Sequence, residues 1–296
     1  MASQITRILF TGANGQLGRE FSALTLADKE EMVFWSKDTV NICDERLIDQ
    51  VREANPTHVV NCAAYTAVDL AESNAEVAYQ VNAEAAGNLA KICASLNIPL
   101  VHFSSDYVYH NNLRRPLVEE DPTRPKGVYA KSKLKGEKLI TANHSLAVIF
   151  RVSWLYSTFG NNFPKTILRL AASRKELNVV NDQEGAPTYG RDLAEVILEI
   201  IRKDHSLEWW RRISGTYNYS NTGTTNWYEI ARRIVHFSQL NCRINPIPSR
   251  EFPTAAPRPR NSKLNLSKFR ETFGLKIRPW DDALEECLGK LQAKDH

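Results

Sequence analysis

The fold of this chain is decided by the stretch RILFTGANGQLG, which runs from Arg7 to Gly18. A short apolar run leads into three glycines spaced three residues apart, and an amphipathic segment follows. This order predicts a buried parallel strand, a tight turn and the start of a helix. Gly12 permits the turn, Gly15 lets a phosphate approach the backbone, and Gly18 lets the helix pack close to the strand. The free N–H groups and the dipole of the helix start then favour the pyrophosphate of a dinucleotide.

Further apolar runs at 32–35, 58–62, 100–103 and 147–151 alternate with helical patterns. This alternation predicts an α/β fold, a doubly wound parallel (Rossmann) sheet with a smaller, mainly helical C-terminal lobe. We expect residues 1–151, with about 188–220, to form the dinucleotide-binding domain. Residues 152–187 and 221–296 are then the substrate-binding lobe.

The composition is that of an ordinary globular protein, with 43% hydrophobic and 24% charged residues among 296. The formal net charge of +4 is too small to favour a nucleic acid as partner, although it suits an anionic small molecule. No run approaches the ~18 apolar residues of a membrane span, and no signal-peptide core stands at the N-terminus, so no membrane partner is expected. The five scattered cysteines contain no CxxC pair and suit a reducing cytoplasm.

The end of the second predicted strand, Ser36-Lys37-Asp38, bears on which dinucleotide is bound. A basic residue here suits the 2′-phosphate of NADP(H), whereas an acidic residue accepts hydrogen bonds from the 2′-hydroxyl of NAD(H). Ser36 and Lys37 therefore favour NADPH, and Asp38 keeps NADH open. Ala63 and Ala64 follow the third strand, where small side chains let a flat cofactor lie against the backbone.

Ser105, Tyr129 and Lys133 are the candidate groups for acid–base chemistry. Ser105 ends the fourth predicted strand, at the edge where ligands bind in such sheets. Tyr129 and Lys133 are four residues apart on a predicted helix and project from one face. A tyrosine with a pKa near ~10 is a poor acid at neutral pH, and we expect the Lys133 ammonium and an oxidised nicotinamide to lower that pKa. The three residues suit hydride transfer between C4 of a nicotinamide and a carbinol or carbonyl carbon.

Three other features are expected to be structural. Asn82 interrupts an apolar helix pattern and needs a partner, most simply a backbone carbonyl. His102 lies inside the fourth strand and is expected to be a satisfied core residue rather than a catalyst. Trp209-Trp210 is expected to be a packed surface connection.

The glycine pattern, Ser105 and the Tyr129–Lys133 pair together resemble the extended short-chain dehydrogenase/reductase family. Within it, the chain resembles the dTDP-4-dehydrorhamnose reductase branch along nearly its whole length. Four matching segments are shared widely in the superfamily: GANGQLG (12–18), NCAAYTAVD (61–69), SSDYVY (104–109) and YAKSK (129–133). Four others are much more specific: SWLY (153–156), GNNF (160–163), NDQEGAPT (181–188) and RPRNSKL (258–264).

The resemblance implies reduction of the 4-keto group of dTDP-4-dehydro-6-deoxy-L-mannose (dTDP-4-dehydro-L-rhamnose) to dTDP-L-rhamnose, a step of polysaccharide biosynthesis. Ser105 matches the family's catalytic Ser/Thr, Tyr129 its proton donor and Lys133 its helper on the nicotinamide ribose. The implied cofactor contacts are Gly12, Asn14, Gly15, Gln16, Leu17, Lys37, Ala63, Ala64, Tyr129 and Lys133. The implied substrate contacts are Asp106, Tyr107 and Trp154 beside the sugar ring, with Asn162 and Arg258 at the diphosphate, which an arginine fork fits well.

The chain departs from the family pattern at two places. After Asp106-Tyr107-Val108 the family has Phe and a glycine-containing turn, whereas residues 109–112 here are Tyr-His-Asn-Asn, which leaves the exact sugar open. Arg191 stands where members with a metal-bridged dimer place a carboxylate, so no metal site is expected. A homodimer of another kind stays open.

Two other functions are compatible with parts of the pattern. The first is an epimerase, dehydratase or reductase acting on another nucleotide-activated 4-keto-deoxysugar. Dehydration in this family uses Asp-Glu after the catalytic Ser/Thr, and here Asp106-Tyr107 lacks that Glu. The second is a non-catalytic protein like the regulatory subunit of methionine adenosyltransferase. Trp154, Asn162 and the NDQEGAPT segment favour the reductase over that subunit.

Overall fold

The computed structural model of the protein describes residues 5–28, 30–110 and 112–293. Its strands are β1 (Thr6–Thr11), β2 (Glu30–Trp35), β3 (His58–Asn61), β4 (Leu100–Ser105), β5 (Ala147–Val152), β6 (Leu155–Tyr156), β7 (Glu176–Val180), β8 (Glu184–Gly185), β9 (Thr188–Tyr189), β10 (Gly215–Tyr219), β11 (Thr225–Asn226), β12 (Arg243–Ile247) and β13 (Asn261–Ser262). Its α-helices are α1 (Gln16–Ser22), α2 (Leu47–Ala54), α3 (Ala75–Tyr79), α4 (Ala86–Ser95), α5 (Val128–Asn143), α6 (Phe163–Ala171), α7 (Gly190–Lys203), α8 (Leu207–Ile213), α9 (Trp227–Phe237), α10 (Ser267–Phe273) and α11 (Trp280–Gln292). Short 3₁₀ turns lie at Leu70–Glu72, Asp106–Val108 and Ser249–Glu251, and a π-helical turn at Gln80–Ala85 joins α3 to α4.

The main sheet has six parallel strands in the order β10-β5-β4-β3-β1-β2, which confirms the predicted doubly wound fold. From β1 the strand order runs to β2 on one side and to β3 on the other, so the carboxyl ends of β1 and β3 flank a crevice. Gly12 turns the chain out of β1 with a φ of 67°. A Cβ there would lie 2.6 Å from the Ala63 backbone nitrogen, so a side chain at this position has no room. The predicted turn therefore lies directly against the end of β3.

Alternate side chains of the strands pack into two separate hydrophobic cores, one on each face of the sheet. Phe10 and Phe150 point to the face covered by α1, α7, α8 and α10. Leu9 and Ile149, their neighbours in sequence, point to the face covered by α2, α4 and α5. Burial on both faces is the reason why these strands appear as continuous apolar runs in the sequence.

The expectation that Trp209 and Trp210 form a packed surface connection was wrong. They belong to α8, where Trp210 is fully buried and Trp209 nearly so, in the first of these two cores. The sequence LEWWRRI places both indoles on the inner side, whereas Arg211 and Arg212 are exposed. Burial of two indoles outweighs the polar signal of the arginine pair.

A second lobe is built from short strands and three helices. The strands pair as β6–β9, β7–β12 and β11–β8–β13, and α6, α9 and α11 enclose a core of their own. The domain limits given above stay a prediction. However, α10, which the sequence assigned to this lobe, packs Phe269 and Phe273 against Phe150 of the main sheet. No helix within the described ranges is long and apolar enough to cross a membrane.

Helix α5 is held in place by contacts with the π-helical turn and with β5. Asn82 in the π turn donates to the Tyr65 carbonyl (3.0 Å) and to Ser132 Oγ of α5 (3.0 Å), which confirms the expected carbonyl partner. On the opposite side, the buried Glu137 carboxylate pairs with Arg151 of β5 at 2.7 Å. These contacts orient the face of α5 that carries Tyr129 and Lys133 toward the end of the sheet.

Gly136 allows α5 to approach the π turn, and we expect Gly136→Ala to destabilise the protein. A Cβ at this position would lie 2.1 Å from the Asn82 carbonyl oxygen, so the two elements must separate. Overpacking of this kind costs about 1–3 kcal/mol. Gly289→Ala in α11 is the matched control, because nothing lies within 4 Å of a Cβ there, and alanine is favoured over glycine in a helix by up to about 1 kcal/mol. Denaturant unfolding measures both, and equal stabilities of the two variants would contradict this account of α5.

Candidate active site

A cleft of about 410 Å³ opens at the carboxyl ends of β1 and β3. Among its lining residues are six of the predicted cofactor contacts: Gly12, Asn14, Gly15, Lys37, Ala63 and Ala64. The backbone at Gly15 caps α1 without a side-chain hydrogen bond, so the amide groups of the first helical turn face this cleft unscreened by a cap. The shape and the helix start fit a dinucleotide.

Four of the predicted cofactor contacts lie outside the cleft lining: Gln16, Leu17, Tyr129 and Lys133. The Leu17 side chain is buried in the core between α1 and the sheet, which leaves only its backbone N–H for a ligand. The Gln16 side chain turns to the second lobe, where its Oε1 accepts a hydrogen bond from Asn162 Nδ2 (2.9 Å). Gln16 therefore joins the glycine turn to the substrate lobe.

The two charges that bear on cofactor choice have different surroundings. Lys37 lines the cleft and is exposed. Asp38 accepts a hydrogen bond from Asn14 Nδ2 at 3.3 Å. One carboxylate oxygen of Asp38 is thus occupied by a neighbour, whereas Lys37 is an exposed cation in the lining of the cleft. This arrangement favours a phosphate over a bare ribose at this position.

Ser105, Asp106 and Tyr129 meet at the carboxyl end of β4. The Ser105 hydroxyl donates to Asp106 Oδ1 at 3.0 Å, and it acts to lower the pKa of the Tyr129 phenol against the larger effect of burial. The Tyr107 backbone N–H donates to Ser105 Oγ at 3.2 Å, and the Tyr107 ring packs edge-on against Tyr129. The structure therefore brings together the residues that the sequence separated by more than twenty positions.

Asp106 is a buried carboxyl with an incomplete set of partners. It is 2% exposed, and its Oδ2 has no hydrogen-bond partner among the residues that the structure describes. Burial raises its pKa to about 6, and the Ser262 and Ser105 hydroxyls offset this only in part. A carboxyl that ionises near neutral pH beside the Ser105 hydroxyl is typical of a functional position.

The expectation that Lys133 lowers the pKa of Tyr129 was wrong for this arrangement. Burial raises the pKa of Tyr129 to about 12, and the Asp106 charge adds to that effect. Lys133 does not lower this pKa here, and its Nζ donates to the Phe103 carbonyl at 2.6 Å. Burial also lowers the pKa of Lys133 itself to about 8. In this geometry Tyr129 is a protonated phenol that can donate a proton.

Trp154 packs against the core of the second lobe. Its φ of 49° turns the side chain out of the strand path, and its indole stacks on Trp227 at 4.0 Å between ring centroids. A Cβ at Gly185 would lie 2.8 Å from this indole, so glycine is required behind it. Trp227 was not recognised in the sequence because nothing near it marks a site.

Asn162 has mainly structural contacts. Its Oδ1 accepts from the Lys165 N–H and caps α6, and its Nδ2 donates to the Ser157 carbonyl (2.7 Å) as well as to Gln16. Both ends of this amide are engaged, so a role at a diphosphate requires Asn162 to exchange one of these partners.

Arg258 reaches the mouth of the site and pairs there with Asp69. Its Nη2 lies 2.5 Å from Asp69 Oδ2, and the Ala256 N–H donates to Asp69 Oδ1 at 2.9 Å. The charges of Arg258 and Asp69 both act on the pKa of the Tyr107 phenol, whose ring packs against Tyr129. The C-terminal segment is thereby fastened to the loop after β3. Sequence reasoning placed Asp69 in a matching segment but assigned it no role.

The comparisons with known proteins agree with this geometry. The family described as RmlD substrate binding domain matches residues 6–293. The dTDP-4-dehydrorhamnose reductase of Escherichia coli (strain K12) is 36% identical over 296 residues, covering 96% of this chain and 97% of that protein. The chain belongs to the dTDP-4-dehydrorhamnose reductase family.

Solved structures of this family have the same fold over the full chain. The dTDP-4-dehydrorhamnose reductase of Clostridium acetobutylicum ATCC 824 is similar with a TM-score of 0.90 and 35% identity, covering 97% of this chain and 99% of that one. The enzyme of Bacillus anthracis str. Ames, solved in complex with NADP, has a TM-score of 0.90 and 34% identity, covering 96% and 99% of the two chains. The resemblance inferred from the motifs is confirmed.

Arg191, the residue that led the sequence pattern away from a metal site, is engaged within the chain of this member of the dTDP-4-dehydrorhamnose reductase family. Arg191 pairs with Glu195 at 2.6 Å and donates to the Ala23 carbonyl, which ties α7 to the end of α1. In the ranges that the structure describes, no group of three or more His, Cys, Asp or Glu side chains is arranged to hold a metal ion. Asn111, part of the turn that departs from the family pattern, lies outside the described residues.

The buried Asp106 carboxyl makes the stability of the protein depend on pH. Because its pKa is raised to about 6 in the folded state, the folded protein holds this proton more tightly than the unfolded chain. Stability from this group is therefore present below the unfolded pKa and lost as pH rises through 6, by an amount on the order of 3 kcal/mol. We expect the stability of Asp106→Asn relative to wild type to increase between about pH 4 and pH 7. A difference that stays constant over that interval in denaturant titrations would show that Asp106 is not perturbed.

Proposed function

We propose that this protein reduces the 4-keto group of dTDP-4-dehydro-6-deoxy-L-mannose to give dTDP-L-rhamnose, with NADPH as hydride donor. The observation that carries the proposal is the placement of Ser105, Tyr129 and Lys133 around the carboxyl end of β4, within a chain that matches this reductase family over nearly its full length. The substrate is inferred from the names of the relatives, and the side chains of the site suit reduction of its keto group.

The cleft fits NADPH by its geometry. Gly12 and Gly15 leave a cradle that side chains would fill, since a Cβ at Gly12 would contact Ala63 and one at Gly15 would lie 3.2 Å from the Gly12 carbonyl. The start of α1 would hold the pyrophosphate, and Lys37 the 2′-phosphate. When bound, the nicotinamide supplies the hydride.

The protein's own residues would bind and protonate the substrate. Ser105 holds the keto oxygen beside Tyr129, and Tyr129 donates its phenolic proton to that oxygen as the carbon is reduced. Asp106 orients the Ser105 hydroxyl. Trp154 and Tyr107 present ring faces to the sugar, and Arg258 would take the diphosphate in exchange for Asp69.

Location and assembly belong to the same proposal. All five cysteines are free thiols in the structure, which supports a reducing cytoplasm. A homodimer is kept as a prediction. A reductase for another 4-keto-deoxysugar and a non-catalytic regulatory role are the alternatives that the experiment below separates.

The function is tested by turnover of purified protein with dTDP-4-dehydro-6-deoxy-L-mannose, comparing NADPH with NADH, for wild type and Tyr129→Phe. We expect wild type to form dTDP-L-rhamnose faster with NADPH. In Tyr129→Phe, kcat falls by about 10²–10⁴-fold, because a positioned proton donor contributes that much. The Kd for NADPH stays nearly constant, and its measurement by fluorescence is the control for folding.

Three results would each overturn a distinct part of the proposal. Near-normal kcat in Tyr129→Phe removes Tyr129 as the proton donor. Turnover of a different keto-sugar alone replaces the substrate. Tight NADPH binding without turnover of any keto-sugar favours the regulatory alternative.

Arg258→Ala is expected to raise the KM for the dTDP-sugar and to leave the Kd for NADPH unchanged. A charge-assisted bond to an anion contributes about 1.5–3 kcal/mol, or roughly 10–150-fold in affinity. Because the contact is remote from the reacting carbon, kcat should fall less than kcat/KM. Added salt should weaken sugar binding more in wild type than in the variant.

Two matched variants separate binding from structure. Arg260→Ala removes an exposed arginine two residues away and should leave the sugar KM unchanged. Asp69→Asn keeps the Arg258 charge but weakens its present partner, so the sugar KM should stay equal or fall. If Asp69→Asn and Arg258→Ala raise the sugar KM equally, the ion pair acts only as a fastener of the C-terminal segment.

A further inference from the structure

A continuous line of buried polar groups runs from the end of β1 to the Lys133 ammonium. Thr11 Oγ1 donates to Asn61 Oδ1 at 2.6 Å, and Asn61 Nδ2 lies 3.0 Å from His102 Nδ1. His102 Nε2 in turn lies 3.5 Å from Lys133 Nζ. Thr11, Asn61, His102 and Lys133 are each at most 2% exposed. The mechanism described so far uses only the last of these groups.

The backbone fixes the direction of the Asn61 amide. The Ala63 N–H donates to Asn61 Oδ1 at 3.2 Å, in addition to the bond from Thr11. An oxygen that receives two donors cannot be the amide nitrogen, so Asn61 presents its NH₂ group to His102. His102 Nδ1 must then accept, and the neutral imidazole carries its proton on Nε2.

The Nε2–H of His102 therefore faces Lys133. An ammonium has three donors and no lone pair, so a charged Lys133 places donor against donor across this contact. The separation of 3.5 Å is long for a hydrogen bond, which fits two opposed donors. A neutral amine accepts from Nε2–H and still donates to the Phe103 carbonyl.

We propose that His102, held in its Nε2–H tautomer by Asn61, is a positioning residue that sets the proton affinity of Lys133. The inference rests on the proposed function, because Lys133 is the residue assigned to the nicotinamide ribose. The consequence is that Lys133 exchanges its proton near neutral pH, where the reductase must return a proton to its site after each turnover.

The charged groups around Lys133 do not by themselves fix its protonation state. Glu137, one turn along α5, favours the ammonium, but Arg151 of β5 pairs with that carboxylate. From the π turn, the uncharged Asn82 side chain bonds Ser132, the residue adjacent to Lys133. From β4 the titratable neighbour is His102, whose own pKa burial holds well below its usual range. His102 thus remains a neutral donor while Lys133 titrates.

The experiment measures the pKa of Lys133 by ¹³C NMR of protein labelled at lysine Cε, with the signal assigned by its loss in Lys133→Met. We expect His102→Gln to raise this pKa by about one pH unit or more, because the glutamine amide can turn its oxygen toward the ammonium. His58→Gln is the matched control, since His58 is also buried but lies at the opposite end of β3. It should leave Lys133 unchanged.

A second variant keeps the test valid if His102→Gln folds poorly. Asn61→Asp accepts from Nδ1, moves the imidazole proton to that nitrogen and leaves Nε2 as an acceptor for the ammonium. Long-range ¹H–¹⁵N spectra should show Nε2–H in wild type and Nδ1–H in Asn61→Asp, with a raised pKa for Lys133.

The pH dependence of kcat/KM is expected to shift in the same direction as the pKa of Lys133. The basic limb of the kcat/KM profile should move to higher pH in His102→Gln by the amount seen for Lys133. An unchanged pKa of Lys133 in His102→Gln, or Nδ1–H in the wild type, would overturn the inference. Neither NMR result depends on turnover, so failure of the proposed function is detected separately, as an inactive protein whose Lys133 still responds to His102.

Discussion

The close approach of the Gly12 turn to the end of β3 is the constraint on which the site depends. A Cβ at Gly12 would lie 2.6 Å from Ala63, so the two strand ends that flank the crevice are nearly in contact. This contact brings the cofactor cleft and the Thr11–Asn61 hydrogen bond to the same point. Strand β4 lies next to β3 in the sheet, and α5 packs against β4. Ser105, Tyr129 and Lys133 therefore lie at the same edge of the sheet.

The second lobe is attached to this edge by a few polar contacts. Gln16 bonds Asn162, and Asp69 bonds both Ala256 and Arg258. Each of these joins a residue near the carboxyl end of the main sheet to a segment of the other lobe. Pairs of this kind are partly exposed and individually weak, which suits a boundary that must admit a large anionic substrate.

Burial separates the acid–base properties of neighbouring groups at the site. It raises the pKa of Asp106 to about 6 and that of Tyr129 to about 12, while it lowers that of Lys133 to about 8. The same physical effect acts in opposite directions on acids and on the amine, because in each case it disfavours the charged form. Two of these groups therefore titrate close to neutral pH, within a site whose phenol stays protonated.

The sequence by itself determined the sheet, the turn at Gly12 and the positions of Ser105, Tyr129 and Lys133. These follow from local patterns: apolar runs, glycine spacing and the four-residue step of a helix. It did not determine what Asn162, Arg258 or Leu17 contact. Their partners lie far along the chain, and the Arg258–Asp69 pair spans 189 residues.

The tertiary structure alone decided how Lys133 and His102 are used. In the sequence, Lys133 is a helix residue four positions after a tyrosine, and His102 is a polar residue within an apolar strand. Their contact arises because α5 packs over β4. Which nitrogen of His102 carries the proton depends on Asn61, which belongs to a third element, β3. Periodicity records which face a residue occupies, whereas pKa values and hydrogen-bond partners are set by groups that only the folded chain brings together.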